Sequence, residues 1–169
     1  GDETIVPLDL ESDDAVFVIF REATAASQAR APSPILEERG AVTGPWRVTF
    51  QNGRGAPSEV VLRRLRPLNE HRDAGVRYFS GVARYQTRLR RPLGGEGAEF
   101  VVDLGTVGDV AEVLIDGRAA GISWRAPHLI ELGMLGEGEH VLEVRVANLW
   151  RNRIIGDLQP GAVPITFTS

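Results

Sequence analysis

Two stretches carry residue types that could do chemistry. Gly121-Ile-Ser-Trp-Arg-Ala-Pro-His128 and Asn148-Leu-Trp-Arg-Asn-Arg-Ile-Ile-Gly-Asp157 each set a tryptophan among planar polar groups. A sugar is held by an aromatic face against its C–H groups, while amides, carboxylates and guanidiniums bond its hydroxyls. Trp124, His128, Trp150, Asn152, Arg153 and Asp157 are therefore the candidate ligand-binding residues. The second stretch also has a purely structural use. Trp150 would plug one end of the fold, while Arg153 pairs with Asp157 to fasten the chain after its last strand. Trp46, at the start of Trp46-Arg-Val-Thr-Phe50, reads as core, and Tyr78, Phe79 and Tyr85 as packing residues.

Catalysis finds no comparable support. His71, His128 and His140 form neither a His-x-His nor a His-Glu-x-x-His pattern, and Ser80 lacks the first glycine of a Gly-x-Ser-x-Gly elbow. The glycines between Gly94 and Gly97 do not match a phosphate-cradling loop. Glycosidic cleavage needs two carboxylates about 5 to 9 Å apart, and no segment singles out such a pair. The absence of cysteine excludes a thiol nucleophile, a thiolate zinc site and a disulfide, and leaves the compartment open. No catalytic residue, metal ligand or cofactor is assigned. Asp13-Asp14 suits a structural calcium site, although a solvated turn explains the pair more simply.

Charge and hydropathy narrow the partners. The net charge of −4 argues against nucleic acid, because phosphate contacts demand surplus positive charge. The basic run Arg63, Arg64, Arg66 lies near Glu59 and Glu70 and reads as a solvated strand face. No stretch approaches the roughly 18 apolar residues of a membrane helix. All 19 basic residues are arginine, which with the abundant Ala, Gly and Pro points to a GC-rich bacterial gene.

These candidates must be positioned by strands. In Val82–Arg90, Ala83, Tyr85, Thr87 and Leu89 share one face, and Arg84, Gln86, Arg88 and Arg90 the other. The same alternation runs through Phe100, Val102 and Leu104, through Ala111, Val113 and Ile115, and through Leu142, Val144 and Val146. Turn signals stand between the runs at Asn52-Gly53, Gly94-Gly95, Asp116-Gly117 and Gly136-Glu-Gly138, the Asx-Gly pairs requiring positive φ at both central residues. Short strands, frequent turns and no long amphipathic helix predict an all-β fold, an antiparallel β-sandwich or jelly roll.

Three segments are expected. Residues 1–22 hold a strand, the apolar run Ala15–Phe20, belonging to a preceding β-domain or crossing back into this one. Residues 23–43 form a linker without periodicity, and 44–169 form the sandwich. The chain starts at Gly1 without a signal peptide, as expected of a processed chain or a fragment.

Gly44–Phe50, Arg77–Tyr85, Asp103–Val113 and Asn148–Asp157 occur in an order and spacing that resemble one family. It is the C-terminal sugar-binding-type β-sandwich of large bacterial α-L-rhamnosidases, glycoside hydrolase family one hundred and six. That module is similar to the galactose-binding-like jelly roll of family-two glycosidases, where a strand, an Asx-Gly turn and an aromatic loop also follow one another, as Ile115-Asp116-Gly117 to Trp124 do here. The catalytic carboxylates of that family lie in a separate barrel. The resemblance therefore implies a non-catalytic accessory domain that binds glycan, such as a rhamnose-containing plant polysaccharide, or packs on the catalytic domain. It favours a periplasmic or secreted location. The family continues past the Gly-Asp with another strand, and Val163–Thr168 is either a shortened version of it or that strand is missing. A free-standing glycosidase and a protein-binding adhesion-type sandwich are the alternatives.

Overall fold

In a computed structural model, residues 4–8, 10, 15–21, 35–94 and 96–165 are described. The chain divides into two units, Gly1–Glu37 and Glu38–Ser169. Within the first unit the described residues are exposed and form neither helix nor strand. The run Ala15–Phe20 thus differs from its expected buried strand, because a strand exists only with a hydrogen-bonded neighbour and no described residue pairs with it. Asp13-Asp14 and most of the expected linker lie outside the described residues.

The second unit is all-β and antiparallel, a β-sandwich with eight strands among the described residues. They are β1 (Trp46–Phe50), β2 (Glu59–Leu62), β3 (Val82–Arg90), β4 (Glu99–Asp103), β5 (Val110–Ile115), β6 (Arg118–Ser123), β7 (Leu129–Met134) and β8 (Glu139–Ala147). Among the described residues a 3-10 turn (Leu68–Glu70) and the short helix α1 (Ala74–Arg77) lie between β2 and β3, and a second short helix, α2 (Arg151–Asp157), follows β8. Six strands form one sheet in the order β2-β1-β3-β8-β5-β6, and β4 and β7 form a second.

Alternation explains which face is which. Val48, Ala83, Leu142, Val144, Ala111 and Val113 point inward from the large sheet and meet Val102 of β4 and Ile130 and Leu132 of β7 in one buried cluster. Toward β1 and β3 the same cluster takes in Val76 of α1 and Phe79. Trp46, 4% exposed, belongs to it as the sequence predicted. Tyr85 packs against it from the same face, and burial pushes its phenol up to about 12. Gly121 lets β6 approach β7, since a Cβ there would sit 3.3 Å from the Ile130 side chain.

The outer face of the large sheet is held by charge. Arg84 and Arg145 face each other across β3 and β8, a like-charge pairing that would repel. Glu143 resolves it by accepting from Arg145 Nε at 2.6 Å, from Gln86 at 2.6 Å, and by lying 3.2 Å from Arg84 Nε. Glu112 of β5 then takes Arg145 Nη1 at 3.0 Å. Arg63, Arg64 and Arg66 are exposed, but they follow β2 in an irregular segment instead of lying on a strand face. Pro67 closes that segment, and proline restricts the backbone of the residue before it. Val163–Ile165 carry no strand, and 166–168 lie outside the described residues.

Candidate functional site

The register collects the sequence candidates at one end of the large sheet. Val110 of β5 pairs Ala147 of β8, Ala147 also pairs Val82 of β3, and Ala111 pairs Ser123 of β6. The residues just beyond these pairs therefore share an end: Ser80 and Gly81 before β3, Asp109 before β5, Trp124 after β6 and Asn148 to Trp150 after β8. Trp124 and Trp150 follow strands two places apart, so the strand ends they extend are separated by roughly 10 Å.

The β6–β7 loop is tied by hydrogen bonds. Ser123 Oγ donates to the Arg125 carbonyl at 3.2 Å and lies 2.8 Å from His128 Nδ1, so the imidazole donates there. The His128 carbonyl accepts from Leu104 N at 3.0 Å. His128 is consequently buried and turned away from solvent, while Trp124 is 66% exposed with the Arg125 guanidinium 5.9 Å from its ring centroid.

At the β8–α2 corner the polar groups tie backbone to backbone. Asn148 accepts from Gly81 N at 2.8 Å and donates to the Phe79 carbonyl at 2.9 Å. Ser80 Oγ donates to the Leu149 carbonyl at 2.9 Å and accepts from Arg153 N at 3.0 Å. Asp109, at φ 77, accepts from Leu149 N at 2.8 Å. Asn152 donates to the Arg77 carbonyl at 3.0 Å, and Arg153 Nη2 meets Asp157 at 2.8 Å. Gly156 is required here, because a Cβ would strike the Tyr78 side chain at 2.5 Å.

α2 is thereby amphipathic in reverse. Its inward stripe is Asn152, Arg153, Gly156 and Asp157, and its outward stripe includes Trp150, 65% exposed, with Ile154, Ile155 and Leu158. Leu149 beside it is exposed as well. The groups expected to bond hydroxyls face the protein, and the apolar ones face water.

Two depressions of about 330 Å³ each lie elsewhere, and neither is lined by Trp124 or Trp150. One is bordered by Gly55, Gly75, Tyr78, Arg153, Gly156 and Gln159. The other, at the opposite end of the large sheet, is bordered by Asp116, Arg118, Met134 and His140. A pairing here carried no signal in the sequence. His140 Nδ1 donates to Asp116 Oδ2 at 2.7 Å, Nε2 donates to the Gly136 carbonyl at 3.0 Å, and Asp116 Oδ1 accepts from Val141 N at 2.8 Å. The hydrogen bond to Asp116, then that to Gly136, raises the His140 pKa above 6.5, while His140 and Val141 hold Asp116 below 3.8. This clasp joins the β5–β6 turn to the β7–β8 loop.

The clasp has a pH signature. A raised histidine stabilises the fold fully below its unfolded value near 6.5 and loses that contribution as pH rises through the folded value. The lowered aspartate contributes above 3.8 and loses it as pH falls through its own folded value. Unfolding free energies from urea denaturation are therefore expected to fall as pH rises above 6.5, by no more than ~1 kcal/mol because Asp116 is half exposed. Asp116→Asn keeps the turn and flattens that slope; a slope unchanged in the variant refutes the assignment.

Among the described residues no group of three or more His, Cys, Asp or Glu is placed to hold a metal ion, and no helix is long and apolar enough to cross a membrane. No family model matches the chain. A rhamnosidase from Novosphingobium sp. PP1Y matches with a TM-score of 0.74 and 44% identity, over 85% of this chain and 14% of that one. This chain is similar to one part of a glycosidase. A protein of Formosa agariphila named "Putative beta-glucuronidase" is 32% identical over 136 residues, 79% of this chain and 11% of its own length. The β-D-glucuronidase of Dictyoglomus thermophilum shares the fold at a TM-score of 0.53 and 15% identity, over 63% of this chain and 19% of that one. The chain thus spans between a tenth and a fifth of these relatives, all glycoside hydrolases by name.

Proposed function

We propose that the chain is a non-catalytic accessory domain of an α-L-rhamnosidase-type glycoside hydrolase, a galactose-binding-like sandwich that packs on the remainder of its enzyme. The observation that carries this reading is the reversed α2. An apolar stripe of Trp150, Ile154 and Leu158 facing water is unfavourable unless another surface covers it. The similarity at 44% identity to 14% of a rhamnosidase supports the other part of such an enzyme as that surface. The catalytic carboxylates then reside in that other part, which also sets the glycan acted upon, a rhamnose-containing polysaccharide. Alone, the chain hydrolyses nothing.

Grafting tests this. The matching segment of the Novosphingobium rhamnosidase is replaced by this chain, and hydrolysis of an aryl rhamnoside and thermal unfolding are followed. The graft is expected to be active. Trp150→Glu with Leu158→Glu should lower the interdomain stability by roughly 2–4 kcal/mol, as loss of a central anchor does, while the isolated domain changes by less than about 1 kcal/mol. A graft indifferent to both charges would sink the packing role.

A further inference from the structure

The run Ala15–Phe20 is apolar without interruption, a pattern that needs cover on two sides. We propose that it inserts as a strand into a β-sheet of the remainder of the enzyme, one covered by apolar side chains on both faces. Placing the host sheet in that enzyme rests on the accessory-domain reading; the two-sided burial rests on these residues alone.

The residue types come first. Val16, Phe17, Val18, Ile19 and Phe20 are β-branched or aromatic, the types that favour extended backbone. In an extended chain Val16, Val18 and Phe20 point to one side, Phe17 and Ile19 to the other. A strand that meets water on one face alternates, as β3 does by setting Arg84 and Arg88 opposite Ala83 and Thr87. This run has no polar residue on either side, the mark of a strand buried on both faces. Charge stops it abruptly, with Asp13-Asp14 before and Arg21-Glu22 after. Between those stops the length, about 20 Å, is that of an ordinary strand.

The structure leaves this surface uncovered. Phe17 is 89% exposed, and Val18, the most sheltered of the five large side chains, is 44% exposed. Among the described residues none hydrogen-bonds to the run. The free edges of the sandwich do not meet the requirement. The large sheet ends at β2 and β6, and Val61 and Ile122 beside those ends turn their side chains to water on its outer face. The second sheet turns Asp103, Leu129 and Glu131 to water. A strand added to any of these edges keeps one apolar set in solvent, and an uncovered segment of this kind promotes aggregation. The match to 14% of a rhamnosidase supports the rest of such an enzyme as the host.

Amide hydrogen–deuterium exchange decides the matter, read by mass spectrometry on peptides covering 15–21. It is measured in the isolated monomeric chain and in the rhamnosidase graft. Exchange is expected within seconds in the isolated chain and at least ~100-fold more slowly in the graft. Phe17→Asp and Val18→Asp, made one at a time, place a charge on opposite faces. Each should abolish the protection in the graft while leaving the urea midpoint of the isolated chain unchanged, which shows that the variants fold. Protection lost in only one of the two variants overturns the two-sided burial. Protection already present in the isolated monomer overturns the insertion and moves the strand onto this chain's own sandwich. Rapid exchange in the graft overturns it as well, whether or not hydrolysis and the response to the Trp150 and Leu158 charges persist. Those two readouts decide the accessory-domain reading separately.

Discussion

Truncating Phe79 to alanine is expected to cost about 4 kcal/mol of unfolding free energy, read from urea denaturation of the isolated chain. Phe79 is fully buried and meets Phe50 edge-on, with ring centroids 4.8 Å apart and planes at 65°. It sits immediately before Ser80 and Gly81, whose hydrogen bonds position Leu149 and the first turn of α2. The loss should therefore reach beyond the core: Trp150 emission shifts in the folded variant, while Trp46 and Trp124 emission holds, as single Trp→Phe backgrounds can assign. A cost below about 1.5 kcal/mol would mean that the site collapses easily and that the corner is not braced by this ring.

Removing Asp157 is the second large effect. Asp157→Ala leaves the Arg153 guanidinium buried with no counter-charge among the described residues, and the expected destabilisation is about 3 kcal/mol. Arg153→Met should cost less, because Asp157 is more exposed and the carboxylate can be hydrated. The double variant should recover part of the Asp157→Ala loss, since it removes the stranded charge itself. Simple additivity across the cycle would show that the pair is not coupled and that the α2 corner rests on Ser80 and Asn148 alone. Aryl-rhamnoside hydrolysis assayed in the same preparations addresses the free-standing glycosidase: activity present in the parent chain and lost in Asp157→Ala would revive it.

The strands were legible where one face meets the core and the other meets water. β3 spans Val82–Arg90, with Ala83 and Thr87 buried and Arg84 and Arg88 exposed, as its alternation predicts. The Asp116-Gly117 turn has φ of 50° and 77°, the positive pair that its residue types demand. α2 was not legible, and the reason is physical. Periodicity arguments assume that apolar residues face the core. Here Ile154 and Ile155 face out and Asn152, Arg153 and Asp157 face in, so the segment reads as a packing plug first and as a ligand loop second. The clasp of Asp116 with His140 was invisible for another reason. Its members lie 24 residues apart, one in the β5–β6 turn and the other on β8, and only the antiparallel register of β5 and β8 brings them together.

The place of β8 in the large sheet has a mechanical meaning. β8 is flanked by β3 along its whole length and by β5 over most of it, and it leads directly into Leu149, Trp150 and α2. A neighbour gripping α2 would pull β8 along its own axis. The ladders on both sides would then be loaded in shear, many hydrogen bonds sharing the force at once, instead of opening one by one from an end. The hairpin pair β5–β6, whose turn is closed by the clasp, resists the same pull at the far end. Extension along the line between the α2 end and the clasp end is thus the deformation that the hydrogen-bond register opposes most directly.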